Sequence, residues 1–219
     1  MLATSFPIAI AALVAIVANP TVKATEHTLC FNYFMQKDGC VFSTADPRTR
    51  CDIHGHPPKK GVCELKPPAG QTHQRREEHT LDRRYDTPEG AQSFFVAGGN
   101  GICGFYDTNN PGACLWTGAE DAAGNPLGGW LNDTKTSNCG KFLYIMREKR
   151  PETVIYVPVV DGCDFGVKTP DNGCFHIGVT RATFFALQPT EEEKNQGYLT
   201  GLTWDFDNLS GQHTRNGPV

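Results

Sequence analysis

The sequence predicts an all-β fold, on three observations. From Ser93 onward, short β-branched and aromatic runs are separated by Gly, Pro, Asn and Asp, the residues that punctuate strands and turns. One run, residues 154–160 (VIYVPVV), is nearly continuous apolar sequence, as a strand buried on both faces reads. The 219 residues also include 23 Gly and 15 Pro, which disfavours a helical bundle. Strands are expected at residues 101–106, 142–147, 154–160, 175–177 and 199–206. Pro158 has no N–H to donate, so it belongs at an edge or a bulge. One helix is expected over 181–187, capped by Thr180 and stopped by Pro189. A second helical turn starts at Thr190, with Glu193 three residues on as a capping box.

The N-terminus predicts the compartment. Residues 8–18 (IAIAALVAIVA) form an eleven-residue apolar stretch, and Val22-Lys23-Ala24 offers short residues for cleavage after Ala24. The stretch is too short to span a bilayer, so residues 1–24 read as a signal peptide and the product as secreted and extracellular. All nine cysteines follow that cut and would meet an oxidising environment. Asn132-Asp133-Thr134 and Asn208-Leu209-Ser210 are glycosylation sequons on that route.

The mature chain divides by composition. Residues 25–63 hold Cys30, Cys40, Cys51 and Cys63, an even set that suggests a small module closed by two disulfides, with connectivity open. Cys51, His54, His56 and Cys63 also resemble a zinc-ligand set, but the spacing fits no established finger and no metal is expected. Residues 64–92 read as a flexible linker, polar and poor in apolar side chains, with dibasic pairs at Arg75-Arg76 and Arg83-Arg84 where a processing protease could cut. Residues 93–210 form the main domain and 211–219 a tail. Residues 25–92 carry ten basic and ten acidic side chains, whereas 93–219 carry nine and fourteen. With a net charge of -4, neither nucleic acid nor a membrane surface is an expected partner.

Within the main domain the succession of pieces is specific. Gly101-Ile102-Cys103-Gly104 and Cys114-Leu115-Trp116 come first, followed by Asn138-Cys139-Gly140-Lys141 and Val159-Val160-Asp161-Gly162-Cys163. His176-Ile177-Gly178-Val179-Thr180, the helix, and Leu202-Thr203-Trp204 close the series. This order resembles the six-stranded double-psi β-barrel of the barwin, expansin and rare-lipoprotein-A-like group, in the style of secreted fungal proteins. The resemblance implies a groove facing polysaccharide, with a catalytic aspartate just before the helix cap in the lytic members. Here that position is Gly178, which cannot transfer a proton. It also implies a Cys103–Cys139 pair, leaving Cys114 over; the alternative pairs Cys114 with Cys139. Cys163 and Cys174 bracket a flexible Asp-, Gly- and Pro-bearing loop and are expected to pair with each other.

The residual catalytic candidates are therefore Asp161, at the end of the buried strand, and His176. A carboxylate at a strand end commonly accepts turn N–H groups instead. Trp116, Trp130 and Tyr144, with Asp161, are candidates for a sugar-binding platform, while a core role competes for each ring. Trp204 is expected in the core, Asp164 and Asp171 in a solvated turn, and Asp205 and Asp207 facing outward. The expected protein is a monomer without cofactors that binds a polysaccharide or a host protein. The alternatives are a wall-lytic glycosidase or transglycosylase using Asp161, and a protein-binding effector or protease inhibitor.

Overall fold

In chain order the elements are α1 (Leu29–Asp38), β1 (Tyr85–Asp86), β2 (Ser93–Val96), β3 (Gly98–Gly101), β4 (Gly104–Asp107), β5 (Ala113–Trp116), β6 (Phe142–Arg147) and β7 (Arg150–Cys163). Then follow α2 (Pro170–Gly173), β8 (Ile177–Thr180), α3 (Arg181–Ala186), α4 (Glu191–Gln196), β9 (Tyr198–Leu199) and β10 (Leu202–Phe206). The computed structural model describes residues 26–52, 85–208 and 214–219. The expected signal segment, His54, His56, Cys63 and both dibasic pairs lie outside the described residues.

Eight strands form one curled half-barrel sheet in the order β1-β10-β6-β7-β5-β8-β2-β9, and β3 pairs with β4 as a separate hairpin. β7 is central because it is long. Its first part pairs antiparallel with β6, and from Val159 to Cys163 it pairs parallel with β5. Pro158 lies at neither edge. It is the last β7 residue on the β6 ladder, opposite Phe142, and β5 pairing begins at the next residue, with Val160 as the extra β7 residue between Val159 and Asp161. The strand expected over 101–106 is instead a hairpin, because Ile102-Cys103 turns the chain between Gly101 and Gly104. α3 and α4 form as their caps predict: Thr180 accepts from the Thr183 N–H, and Thr190 and Glu193 exchange both capping-box bonds.

The N-terminal segment is not a separate module. Thr28 caps α1 by accepting from the Phe31 N–H, and Gly39 ends it at φ 71°, the left-handed region that glycine enters without strain. Cys30, Phe31 and Phe34 share one buried face. That face enters the same core as the sheet: the Phe34 ring lies 4.8 Å from Tyr85, 5.3 Å from Phe175 and 6.0 Å from Trp130. Cys30 is bonded to Cys174, 144 residues away. The supposed linker also ends earlier than composition suggests, since Tyr85 is fully buried and pairs with Trp204.

The remaining disulfides are Cys40–Cys51, Cys103–Cys139 and Cys114–Cys163. Cys103–Cys139 is as expected, but Cys163 pairs with Cys114 and Cys174 with Cys30. The expected Cys163–Cys174 bond does not form, and Cys114 is not left over. The spacing argument fails because β5 lies beside β7 in the sheet, where Trp116 pairs with Cys163, and this brings Cys114 within bonding distance. Cys51, held in a disulfide, is not a zinc-binding thiolate.

Asp205 is also a correction. Period-two alternation placed it outward, yet it is buried and accepts a 2.7 Å bond from the Ser43 hydroxyl. The segment after α1 covers the second face of β10, so both faces of that strand are packed. Asn208 is fully buried beside it and donates its amide to the Ser43 carbonyl at 2.6 Å. The Asn132 amide likewise donates to the Pro126 carbonyl at 2.7 Å.

The half-buried Lys141 donates to Asn138 Oδ1 and to the Gly217 carbonyl, and burial lowers its pKa from 10.5 to about 8. Between those values the unfolded chain binds more protons than the folded one, so stability rises with pH across that window. Urea midpoints of wild type and Lys141→Met should diverge in wild type's favour from pH 7.5 to 10.5, by on the order of 2 kcal/mol. Parallel pH profiles would contradict this.

Candidate functional site

The region where the barrel resemblance locates its groove is the meeting of β7, β5 and β8, with the β3–β4 hairpin against it. Asp161 and Gly178 both pair with Cys114, from opposite sides of β5. They are two strands apart, roughly 10 Å at the usual strand spacing.

Both oxygens of the Asp161 carboxylate accept hydrogen bonds from the protein. Oδ1 accepts from the Ile102 N–H at 2.7 Å and the Gly162 N–H at 2.8 Å, and Oδ2 accepts from the Tyr106 hydroxyl at 3.0 Å. Gly101 lies flush against it, where a Cβ would collide with the carboxylate. Burial, and then the bond to Asp161, raises the Tyr106 hydroxyl to about 12, so it stays a proton donor to the carboxylate at ordinary pH. Asp161 thus clamps the hairpin to β7. The Cys103–Cys139 bond and a bond from the Thr108 hydroxyl to the Val96 carbonyl hold the hairpin's two ends. Four glycines allow this close packing, and the hairpin displays Phe105, 79% exposed.

Gly178 is walled in. A Cβ there would lie 2.6 Å from the Cys114 sulfur, so the disulfide occupies the space an aspartate would need. His176 is buried, its Nε2 is 2.9 Å from Asn172 Oδ1, and burial lowers its pKa, which keeps the ring neutral. Its neighbour is the Phe165 ring, centroid to centroid 5.1 Å. Asp164 is an exposed turn residue accepting from the Gly166 N–H, and Asp171 is exposed in α2. Among the described residues, no three His, Cys, Asp or Glu side chains are grouped to hold a metal ion.

The expected aromatic platform is not on the surface. Trp116 and Trp130 are fully buried and Tyr144 is 2% exposed, so none can stack on a ligand in this state. The Trp116 ring lies against Gly129 and Gly173, and its indole N–H donates to the Val167 carbonyl. Trp130 donates to the Cys174 carbonyl and is ringed by Phe34, Tyr85, Trp204 and Phe206. Trp204 is core, as the sequence suggested.

The exposed rings lie elsewhere: Phe105 on the hairpin, Phe142 and Tyr156 on β6 and β7, and Phe95 and Phe185 near α3. The one available signal was alternation in β7, whose odd and even residues point to opposite faces. Which face stayed open depended on the N-terminal segment. Among the described residues, no helix is long and apolar enough to cross a membrane. Neither a family model nor a curated protein matches the chain.

Proposed function

We propose that the chain is a secreted, non-catalytic binding protein built on a double-psi β-barrel, whose ligand is an extracellular or cell-wall polysaccharide. The observation that carries the non-catalytic part is the Asp161 carboxylate, which accepts from three protein donors while Cys114 fills the space beside Gly178. Glycoside cleavage needs a carboxyl group free to protonate the leaving oxygen and, usually, a second to handle water. The curled β-sheet, its short helices and four disulfides support the barrel and the extracellular compartment. Exposed aromatic rings on rigid strands support glycan binding, since such faces bury the apolar side of a pyranose.

The test is a pull-down on insoluble polysaccharides paired with a reducing-end assay. Retention on at least one polysaccharide is expected, with no reducing ends released above background. Turnover that disappears in Asp161→Asn with an unchanged circular-dichroism spectrum would instead establish a wall-lytic enzyme. A second reading, a protein-binding effector or protease inhibitor, is favoured by the pinned β3–β4 hairpin, which presents Phe105 as a convex apolar anchor. Retention on no polysaccharide would favour that reading.

A further inference from the structure

The β6–β7 ladder has one face in the core and one outside. Leu143, Ile145 and Val157 point inward and are buried. On the outer face Phe142 stands opposite Pro158, and Tyr144 stands opposite Tyr156. Cover on this face is uneven. Asp205, next to Tyr144 on β10, is sealed by Ser43, and Tyr144 is itself buried. One strand further, the cover stops: Tyr156 is 56% exposed and Phe142 43%. The two residues are diagonal neighbours, about 7–8 Å apart on an antiparallel ladder. Pro158 and Val154 extend the strip between and beyond them, both half-buried.

We infer that this strip is the polysaccharide-binding surface, and that its ligand is a neutral glycan whose pyranose rings stack on Tyr156 and Phe142. The inference rests on the polysaccharide reading above and names the site and ligand charge that reading leaves open. Charge selects the occupant. Glu152, at one end of the strip, is paired with Arg150 at 3.1 Å, and Asp207, beside Phe142, has a partner of its own. The side chains of the strip itself, Phe142, Tyr156, Pro158 and Val154, carry no charge, so an uncharged ligand matches it better than an anionic glycan, a nucleic acid or a basic peptide. Area argues against a protein. The two rings expose on the order of 200 Å² together, from typical aromatic side-chain areas, whereas a stable protein interface buries about 800 Å² per partner. A glycan chain needs far less contact, and its C–H face matches an uncharged aromatic ladder. The backbone beneath is ordered, since Tyr156 and Phe142 lie on two strands hydrogen-bonded to each other and β6 is also paired with β10, so little ordering entropy opposes binding.

The test uses the intact secreted protein and its Tyr156→Ala, Phe142→Ala and Phe105→Ala variants, with microcrystalline cellulose, chitin, β-1,3-glucan and polygalacturonate as probes. All three altered side chains are exposed, so melting curves should match wild type. The expected result is binding to at least one neutral glycan that falls at least tenfold in Tyr156→Ala and in Phe142→Ala and is unchanged in Phe105→Ala. Tyr156→Phe keeps the ring and should retain binding within about threefold. Wild-type binding that both alanine variants preserve would overturn this site while leaving the polysaccharide reading intact. A preference for polygalacturonate would overturn the neutral-ligand assignment. Absence of wild-type binding to all four would overturn the parent reading, and this inference with it.

Discussion

Replacing Cys30 and Cys174 together with alanine should be among the most damaging changes to this protein, costing about 4 kcal/mol of unfolding free energy. The bond joins residues 144 apart. Because Cys40–Cys51 and Cys114–Cys163 short-circuit parts of that span, the loop it closes is roughly 84 residues, still long enough for a large entropic constraint on the unfolded chain. The same bond anchors α1, whose Phe34 packs against Tyr85, Trp130 and Phe175. Urea unfolding of the double variant measures the cost; a loss below about 1 kcal/mol would show that core packing alone holds α1. A corollary concerns processing. A cut anywhere in residues 53–84 should not release the barrel, because the two chains remain joined through Cys30–Cys174. Intact mass before and after reduction checks this: a single species that splits only on reduction is expected, and separation without reductant would refute the bond.

Trp130→Ala should cost about 4 kcal/mol as well, for a different reason: it empties the centre of the core. The indole is fully buried, touches four aromatic rings and satisfies the Cys174 carbonyl. Thermal or urea denaturation measures the loss. The folded fraction should still bind the ligand of wild type with unchanged affinity, which separates Trp130 from Tyr156, where binding falls and stability does not. Lost affinity at unchanged stability would restore Trp130 as a ligand residue.

Local structure was legible wherever a few neighbouring residues decide it. The Thr180 and Thr190 caps, the β6 strand, the apolar β7 and the all-β character follow from side-chain spacing and backbone hydrogen-bonding rules that act within a handful of residues. α1 was legible in principle: Thr28 and Gly39 bracket a run with Cys30, Phe31 and Phe34 on one face, and the cysteine count drew attention away from it. The Asp161 role was also readable as one of two, a strand-end carboxylate accepting N–H groups, and its three bonds favour that reading.

What the sequence could not decide were the relations between distant segments. Composition separated residues 25–92 from the barrel, but burying the α1 face against the sheet is a tertiary choice that no local pattern encodes. That one packing event explains several differences at once. It pairs Cys30 with Cys174, brings Tyr85 into the core and covers Asp205 and Asn208. The remaining disulfide difference comes from β5 lying beside β7, which joins Cys114 to Cys163. The exposed rings followed the same logic. Alternation says that neighbouring residues of a strand face opposite ways, but only the docking of the N-terminal segment determines which outer positions stay open. Tyr144 is therefore buried while Tyr156, directly opposite it on the next strand, meets solvent.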